Sequence, residues 1–237
     1  MPYRASRADP QTLKRERPWV FAGGTLLAAI AGFINVCLLG FFAVPVSHMT
    51  GAVARLSLDL EALDLTDVRL VLSILGGFLM GAILSGLLIG GRKLVPGRRY
   101  GFALLLEGAV LCLATYLLVN GNAVGVALAA LACGIQNAMA SSYNGLILRT
   151  THMTGIVTDM GVMLGHWLRH RRIRLWKLLV LVSLVGGFFL GGLGGALAFR
   201  WVGTVALAAP AAACLLAGAG YLLWRQRLHQ RQRLTSA

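Results

Sequence analysis

Ser47-His48-Met49-Thr50-Gly51 returns about a hundred residues later as Thr151-His152-Met153-Thr154-Gly155. The His-Met-Thr-Gly core is identical, and an apolar block precedes it both times. Upstream, Gly32-Phe33-Ile34-Asn35 resembles Gly134-Ile135-Gln136-Asn137. Downstream, Gly76-Gly77-Phe78-Leu79 resembles Gly186-Gly187-Phe188-Phe189, and Tyr116-Leu117-Leu118 resembles Tyr221-Leu222-Leu223. Four matches in one order mark an internal repeat. Each unit holds three apolar blocks. Three is odd, so a unit that enters a membrane from one side is followed by a unit entering from the other. The expected fold is therefore all-α: six transmembrane helices arranged as two inverted three-helix repeats, as in many transporters.

The blocks lie at about 19–42, 69–91, 100–119, 122–148, 174–199 and 201–224. Each supplies the roughly 20 apolar residues that a helix needs to cross a ~30 Å hydrocarbon core. Composition agrees. The chain of 237 residues is 57% hydrophobic and only 13% charged, about half the charge of an ordinary soluble domain, and its mean hydropathy is +0.75. The expected organisation is a basic cytoplasmic tail at 1–18, a membrane domain at 19–225 and a second basic tail at 226–237. Repeat A covers 19–119 and repeat B covers 122–225. The first block, about Trp19 to Val44, is longer than the ~7–15 apolar residues of a signal peptide.

Lysine and arginine set the orientation. Nineteen of the 22 fall in the N-terminal tail, the 92–99 loop, the 149–177 segment and the C-terminus from Arg225 on; only Arg55, Arg69 and Arg200 fall on the other side. Basic loops stay inside, so both termini are expected in the cytoplasm. The same distribution explains the net charge of +14 without nucleic acid, because the cations flank apolar spans and gather on no soluble domain.

After each His-Met-Thr-Gly comes a short amphipathic stretch of about a dozen residues, too short to span. It is expected to be an interfacial helix, a re-entrant half-helix or an extension of the next span. Thr50 and Thr154 are expected to cap these helices. Gly51 and Gly155 would let a backbone or a ligand approach, and the helix N-termini would attract an anion. His48 and His152 could carry a proton. Asn35, Gln136, Asn137 and Asn144 interrupt apolar spans and must find partners inside the bundle; they either bond helices together or line a solute path. Glu107 is an intramembrane carboxylate, which is costly. It has no carboxylate counterpart near Pro210–Ala212, so its reading is either a proton- or cation-linked group or a paired carboxylate near the interface. Thr158 and Asp159 complete the second break, where His152 or Asp159 would sense charge. A pair between Asp159 and Arg55 is a further expectation. Gly77, Gly81, Gly187, Gly191 and Gly195, with Gly86 and Gly90, have the spacing that brings helices close. The helices carrying them are expected to pack centrally, against each other across the axis.

These motifs resemble those of the YoaK family, bacterial inner-membrane proteins with an uncharacterised domain (domain of unknown function 1275). The most specific part is Thr154-Gly155-Ile156-Val157-Thr158-Asp159-Met160-Gly161 after the Gln136-Asn137 pair, and the resemblance runs from about Trp19 to Leu223. It implies the bacterial inner membrane as location and carries no assigned activity. Members of that family often have Asn after the first Thr-Gly, where this chain has Ala52.

No phosphate-binding loop, His-Glu-x-x-His or nucleophile elbow occurs, so no enzyme activity is expected. The four cysteines, Cys37, Cys112, Cys133 and Cys214, all lie in apolar blocks without metal-ligand spacing and read as buried thiols. No metal and no cofactor is expected. The leading expectation is a small-solute permease or channel with its path between the repeats. The alternative is a non-transport accessory protein whose breaks are structural. The partners implied are the lipid bilayer, an unidentified small solute and, as a candidate, a second copy in a homo-oligomer. Reporter fusions at residues 1 and 237 should both give cytoplasmic signals; a periplasmic signal from either end would refute the orientation.

Overall fold

A helix satisfies all of its backbone hydrogen bonds internally, so an apolar block in an apolar medium has little alternative to forming one. The computed structural model describes residues 10–42, 45–89, 97–141, 150–171 and 175–235. Among them are eight α-helices: α1 (Pro10–Phe42), α2 (Met49–Glu61), α3 (Leu65–Ile89), α4 (Arg98–Val119), α5 (Val124–Ser141), α6 (Met153–His170), α7 (Leu175–Val202) and α8 (Ala208–Thr235). A 3-10 turn, Gly203–Leu207, joins the last two. No strand occurs among the described residues.

Four apolar helical stretches are long enough to cross a membrane: Phe21–Phe42, Leu65–Ile89, Arg98–Val119 and the 54-residue stretch Leu175–Leu228. The last would extend about 81 Å as one straight helix, and it is broken at Gly203, whose φ of +61° suits glycine. The apolar helix Val124–Met139 is shorter. Its expected continuation to residue 148, with Asn144, lies outside the described residues, as does Gly90.

Local chemistry sets the helix ends. Pro10 opens α1, where its missing N–H costs nothing. Asp64 Oδ1 accepts from the backbone N–H of Thr66 at 3.0 Å and of Asp67 at 3.1 Å, and so caps α3. Asn122 Oδ1 accepts from Val124 N–H at 2.9 Å at the start of α5. Two expectations change. The segment 10–18, read as tail, belongs to α1, and most of 226–237 continues α8 to Thr235. Arg-, Lys- and Gln-rich sequence is a good helix former, so a neighbouring apolar helix propagates into it.

The packing also differs from expectation. α3 and α7 do not pair with each other. α3 packs along α5, α7 packs along α1, and α4 packs on α8 and α5. The reason is that glycines occur on both members of each pair. A methyl group on Gly81 would overlap the Leu131 carbonyl oxygen, one on Gly77 that of Ala127, and one on Gly134 of α5 that of Phe78. The other pair repeats this register. Gly191 opposes the Ala29 carbonyl, Gly187 the Thr25 carbonyl at 2.7 Å from an added Cβ, and Gly32 of α1 the Phe188 carbonyl. Gly195 extends the seam to the Phe33 carbonyl at 2.6 Å. Gly86, by contrast, faces open space. Lipid tails are as apolar as leucine, so van der Waals packing of this kind holds membrane helices together.

Gly191→Ala should therefore lower the melting temperature in detergent, with a cost of roughly 1–3 kcal/mol from overpacking. Gly186→Ala, where an added Cβ meets nothing within 4 Å, should leave it unchanged or raise it slightly. Equal melting of the two variants would contradict the seam.

Candidate functional site

Both His-Met-Thr-Gly motifs sit where the chain doubles back beside the helix it has just left. α1 ends at Phe42, yet Ser47 returns to Asn35, about 10 Å back along the axis. There Asn35 Oδ1 accepts from Ser47 N–H at 3.1 Å and from Ser47 Oγ at 3.0 Å. Both residues are buried. The second half repeats the bond: Thr151 Oγ1 donates to Asn137 Oδ1 at 3.1 Å. Asn35 is about 21 Å along α1 from Phe21, where the apolar stretch begins. Each short helix thus starts well inside the length of its apolar neighbour.

From these starting points α2 runs out along α3 and α6 runs out along α7. Arg55 of α2 binds Asp59 at 2.6 Å and Asp67 of α3 at 2.7 Å, which ties α2 to the start of α3. Arg55 is paired inside its own half, and the expected partnership with Asp159 is absent. The capping expectation also fails. Thr50 and Thr154 lie within the first helical turn; the residues at the N-cap are His48 and His152, and neither makes a side-chain capping bond.

The motif glycines have a different use from the one expected. A Cβ on Gly51 would lie 2.7 Å from His48 Nδ1, and one on Gly155 would overlap the His152 ring. In both halves the imidazole folds over the first turn of its own helix, and glycine leaves room for it. What the glycine admits is this ring.

The sequence candidates separate into two groups. Asn35, Gln136 and Glu107 are interior, and Asn137 is half-buried. His48, Thr50, His152, Thr154, Thr158 and Asp159 are exposed. Thr158 Oγ1 donates to the Thr154 carbonyl at 2.9 Å along its own helix. The break residues do not converge with the interior group.

The interior group lies where α1, α4, α5 and α8 meet. Gln136 Nε2 donates to the Leu27 carbonyl and reaches Thr150 Oγ1 at 3.5 Å, while its Oε1 has no hydrogen-bond partner among the described residues. One turn along α5, Cys133 lies near Glu107 of α4, as does Cys214 of α8. Glu107 is fully buried. The Cys214 thiol approaches the carboxyl, yet neither carboxyl oxygen completes a hydrogen bond of ordinary geometry among the described residues. Burial of an unpaired polar atom typically costs about 1–3 kcal/mol. Sequence reasoning found Glu107 and Gln136, but it set the two thiols aside and did not connect Ser47 or Thr151 to the asparagines. The available signal was an asparagine in the apolar block followed, 12 residues later in one half and 14 in the other, by a hydroxyl residue just before His-Met-Thr-Gly. Among the described residues no group of three His, Cys, Asp or Glu side chains could hold a metal.

Asn35→Leu should remove two buried hydrogen bonds and destabilise the protein by about 1–3 kcal/mol. Amide exchange in the first turn of α2 should rise more than in α6, and Asn137→Leu should show the reverse. Uniform changes across both helices would count against local latches.

Comparison with curated proteins gives no match, and comparison with solved structures gives none. Residues 23–220 match the model of a family described as Protein of unknown function (DUF1275). That stretch holds both breaks, both glycine seams and Glu107. The chain belongs to this family.

Proposed function

We propose that this protein is a six-span transporter of the cytoplasmic membrane, built from two inverted repeats, that moves a small solute in exchange or symport with protons. The repeat reading is supported by the contacts themselves. α1 on α7 and α5 on α3 share a glycine register, with Gly32 against Phe188 matching Gly134 against Phe78, and Gly191 against Ala29 matching Gly81 against Leu131. The Asn35–Ser47 and Asn137–Thr151 bonds correspond in the same way. In this arrangement α1, α3, α4, α5, α7 and α8 cross the membrane. α2 and α6 are half-helices whose N-termini start in the interior and leave toward opposite faces, a plan that transporters use. The excess of basic residues beside the chain ends supports an orientation with both termini inside.

Glu107 is the observation that carries the transport reading. It has no carboxylate counterpart in the other half, it is wholly enclosed, and among the described residues only the Cys214 thiol approaches its oxygens, without a hydrogen bond of ordinary geometry. An ionised side chain at such depth costs roughly 2.5–3.5 kcal/mol on insertion scales. Proton binding removes the charge, and a conformation that opens the site to water restores it. Gln136, three residues from Cys133 on the same face of α5, supplies an unfilled acceptor beside this position. The rival reading, an accessory protein with purely structural breaks, draws support from the asparagine latches, which need no solute.

Purified protein in proteoliposomes under an imposed pH gradient provides the test. Solute-dependent proton movement should occur with the native chain. Glu107→Gln should fold with an unchanged melting temperature, because the amide replaces a neutral acid of the same shape. It should lose at least tenfold of the gradient-driven flux. Full gradient-driven flux in Glu107→Gln would overturn the role of this carboxyl, and absence of flux across a broad solute screen would favour the accessory reading.

A further inference from the structure

His48 and His152 are absorbed by the breaks, where each ring folds over the first turn of its own helix. His166 and His170 have no such role. They stand four residues apart near the end of α6, and both are exposed. Residues at that spacing are neighbours on one helix face, and here the ring centroids lie 6.2 Å apart with their planes at 64°. The packed side of α6 is elsewhere: Met153, Ile156 and Met160 cluster with Val180 and Leu184 of α7.

Two imidazoles so placed suit a divalent metal. A zinc–nitrogen bond of about 2.0–2.1 Å puts the ion roughly 3.2 Å from the centre of each ring, and a tetrahedral angle then sets the two centres roughly 5.2 Å apart. The separation in α6 is about 1 Å wider than this. Small χ rotations cost little, so the exposed rings close the difference without moving the backbone. Histidines at i and i+4 are the pair that metalloprotease helices present to zinc. The last turn adds to the site, because its free carbonyls carry partial negative charge and favour a cation. Arg169 and Arg171 oppose it by charge, although Arg171 is engaged with the Trp167 ring at 5.9 Å. Magnesium and calcium seek oxygen ligands, whereas zinc, copper, nickel and cobalt gain strongly from imidazole, so only the second group offsets that repulsion. Among the described residues no third His, Cys, Asp or Glu joins the pair, which leaves the remaining positions on the ion to water.

We propose that His166 and His170 form a two-histidine site for a first-row divalent transition metal, such as zinc, at the exposed end of α6. The bound ion links two successive turns of the helix. Ile156 is the only buried residue of α6 among those described, so this link steadies a helix that its neighbours hold weakly. Metal occupancy thus sets how firmly the end of α6 is ordered. The site requires neither transport nor a particular orientation in the membrane.

Tag-free full-length protein in neutral detergent, stripped of metal with a chelator and titrated calorimetrically with zinc chloride, tests this directly. One zinc per chain should bind. His166→Gln and His170→Gln should each weaken binding at least tenfold, because losing one imidazole removes the intramolecular second bond. The double variant should lose binding altogether. Both side chains are exposed, so all three variants should keep the native melting temperature. Magnesium and calcium should not bind. Amide exchange in the last turn of α6 should slow when zinc is added to the native chain and stay unchanged in the double variant. Zinc affinity that survives the double variant overturns the site, and a loss confined to one single variant overturns the chelate. One zinc for every two chains would overturn the single-chain site in favour of one shared between copies. The readout needs no transported solute, so a failed flux screen leaves it standing.

Discussion

A backbone N–H released inside hydrocarbon has no water to bond, and that constraint organises this protein. Starting a helix at depth exposes several such donors. The chain does it twice, and both times an asparagine on the preceding helix meets a hydroxyl residue ahead of the new one. Asn35 takes both the amide and the hydroxyl of Ser47, and Asn137 takes the hydroxyl of Thr151. The imidazole of the following histidine covers the first turn, and glycine gives it space. The break is thus a compact unit: an amide acceptor, a hydroxyl, a ring and a residue without a side chain. Its cost is confined to these few residues, and the surrounding helices remain regular and apolar.

Much of this was legible in the sequence because bilayers impose simple rules on length and charge. Apolar blocks of sufficient length marked the helices, and the recurrence of His-Met-Thr-Gly located both breaks. Glu107 and Gln136 stood out as polar residues in apolar surroundings, and both are interior. Pairings were harder to read. The glycines at 77, 81, 187 and 191 announced close contacts but not their partners. A glycine only permits approach; the partner is fixed by where the opposing helix has a matching gap, at Gly134 and Gly32. The threonines of the motif looked like caps by residue type, yet the helix begins two residues earlier than that role requires. Asp159 looked like a site residue by its rarity, but it lies on the exposed side of α6, and no periodicity of the local sequence assigns that face.

The seams α1–α7 and α3–α5 share a glycine register, and the two halves are told apart by features that occur once. Glu107 with Cys133 and Cys214 is one such feature. The Arg55–Asp59–Asp67 tie, which fastens α2 but has no counterpart on α6 among the described residues, is another. α6 is correspondingly the less supported of the two short helices, with Ile156 as its only buried residue among those described.

The crossed pairing of the halves bears on how the protein is made. α1 leaves the ribosome first, but its glycine seam belongs to α7, and Cys37 of α1 donates to the Gly195 carbonyl 158 residues later. At about 5–20 residues per second, that delay is about ten to thirty seconds. During that time α1 sits in the bilayer with Gly32 and its neighbouring carbonyls facing lipid or an insertion factor. The early helices have to tolerate waiting, and neither half has its own complete set of neighbours. A gene encoding one half alone would yield helices whose best contacts are missing, whereas two separately translated halves could still assemble by supplying each other's seams.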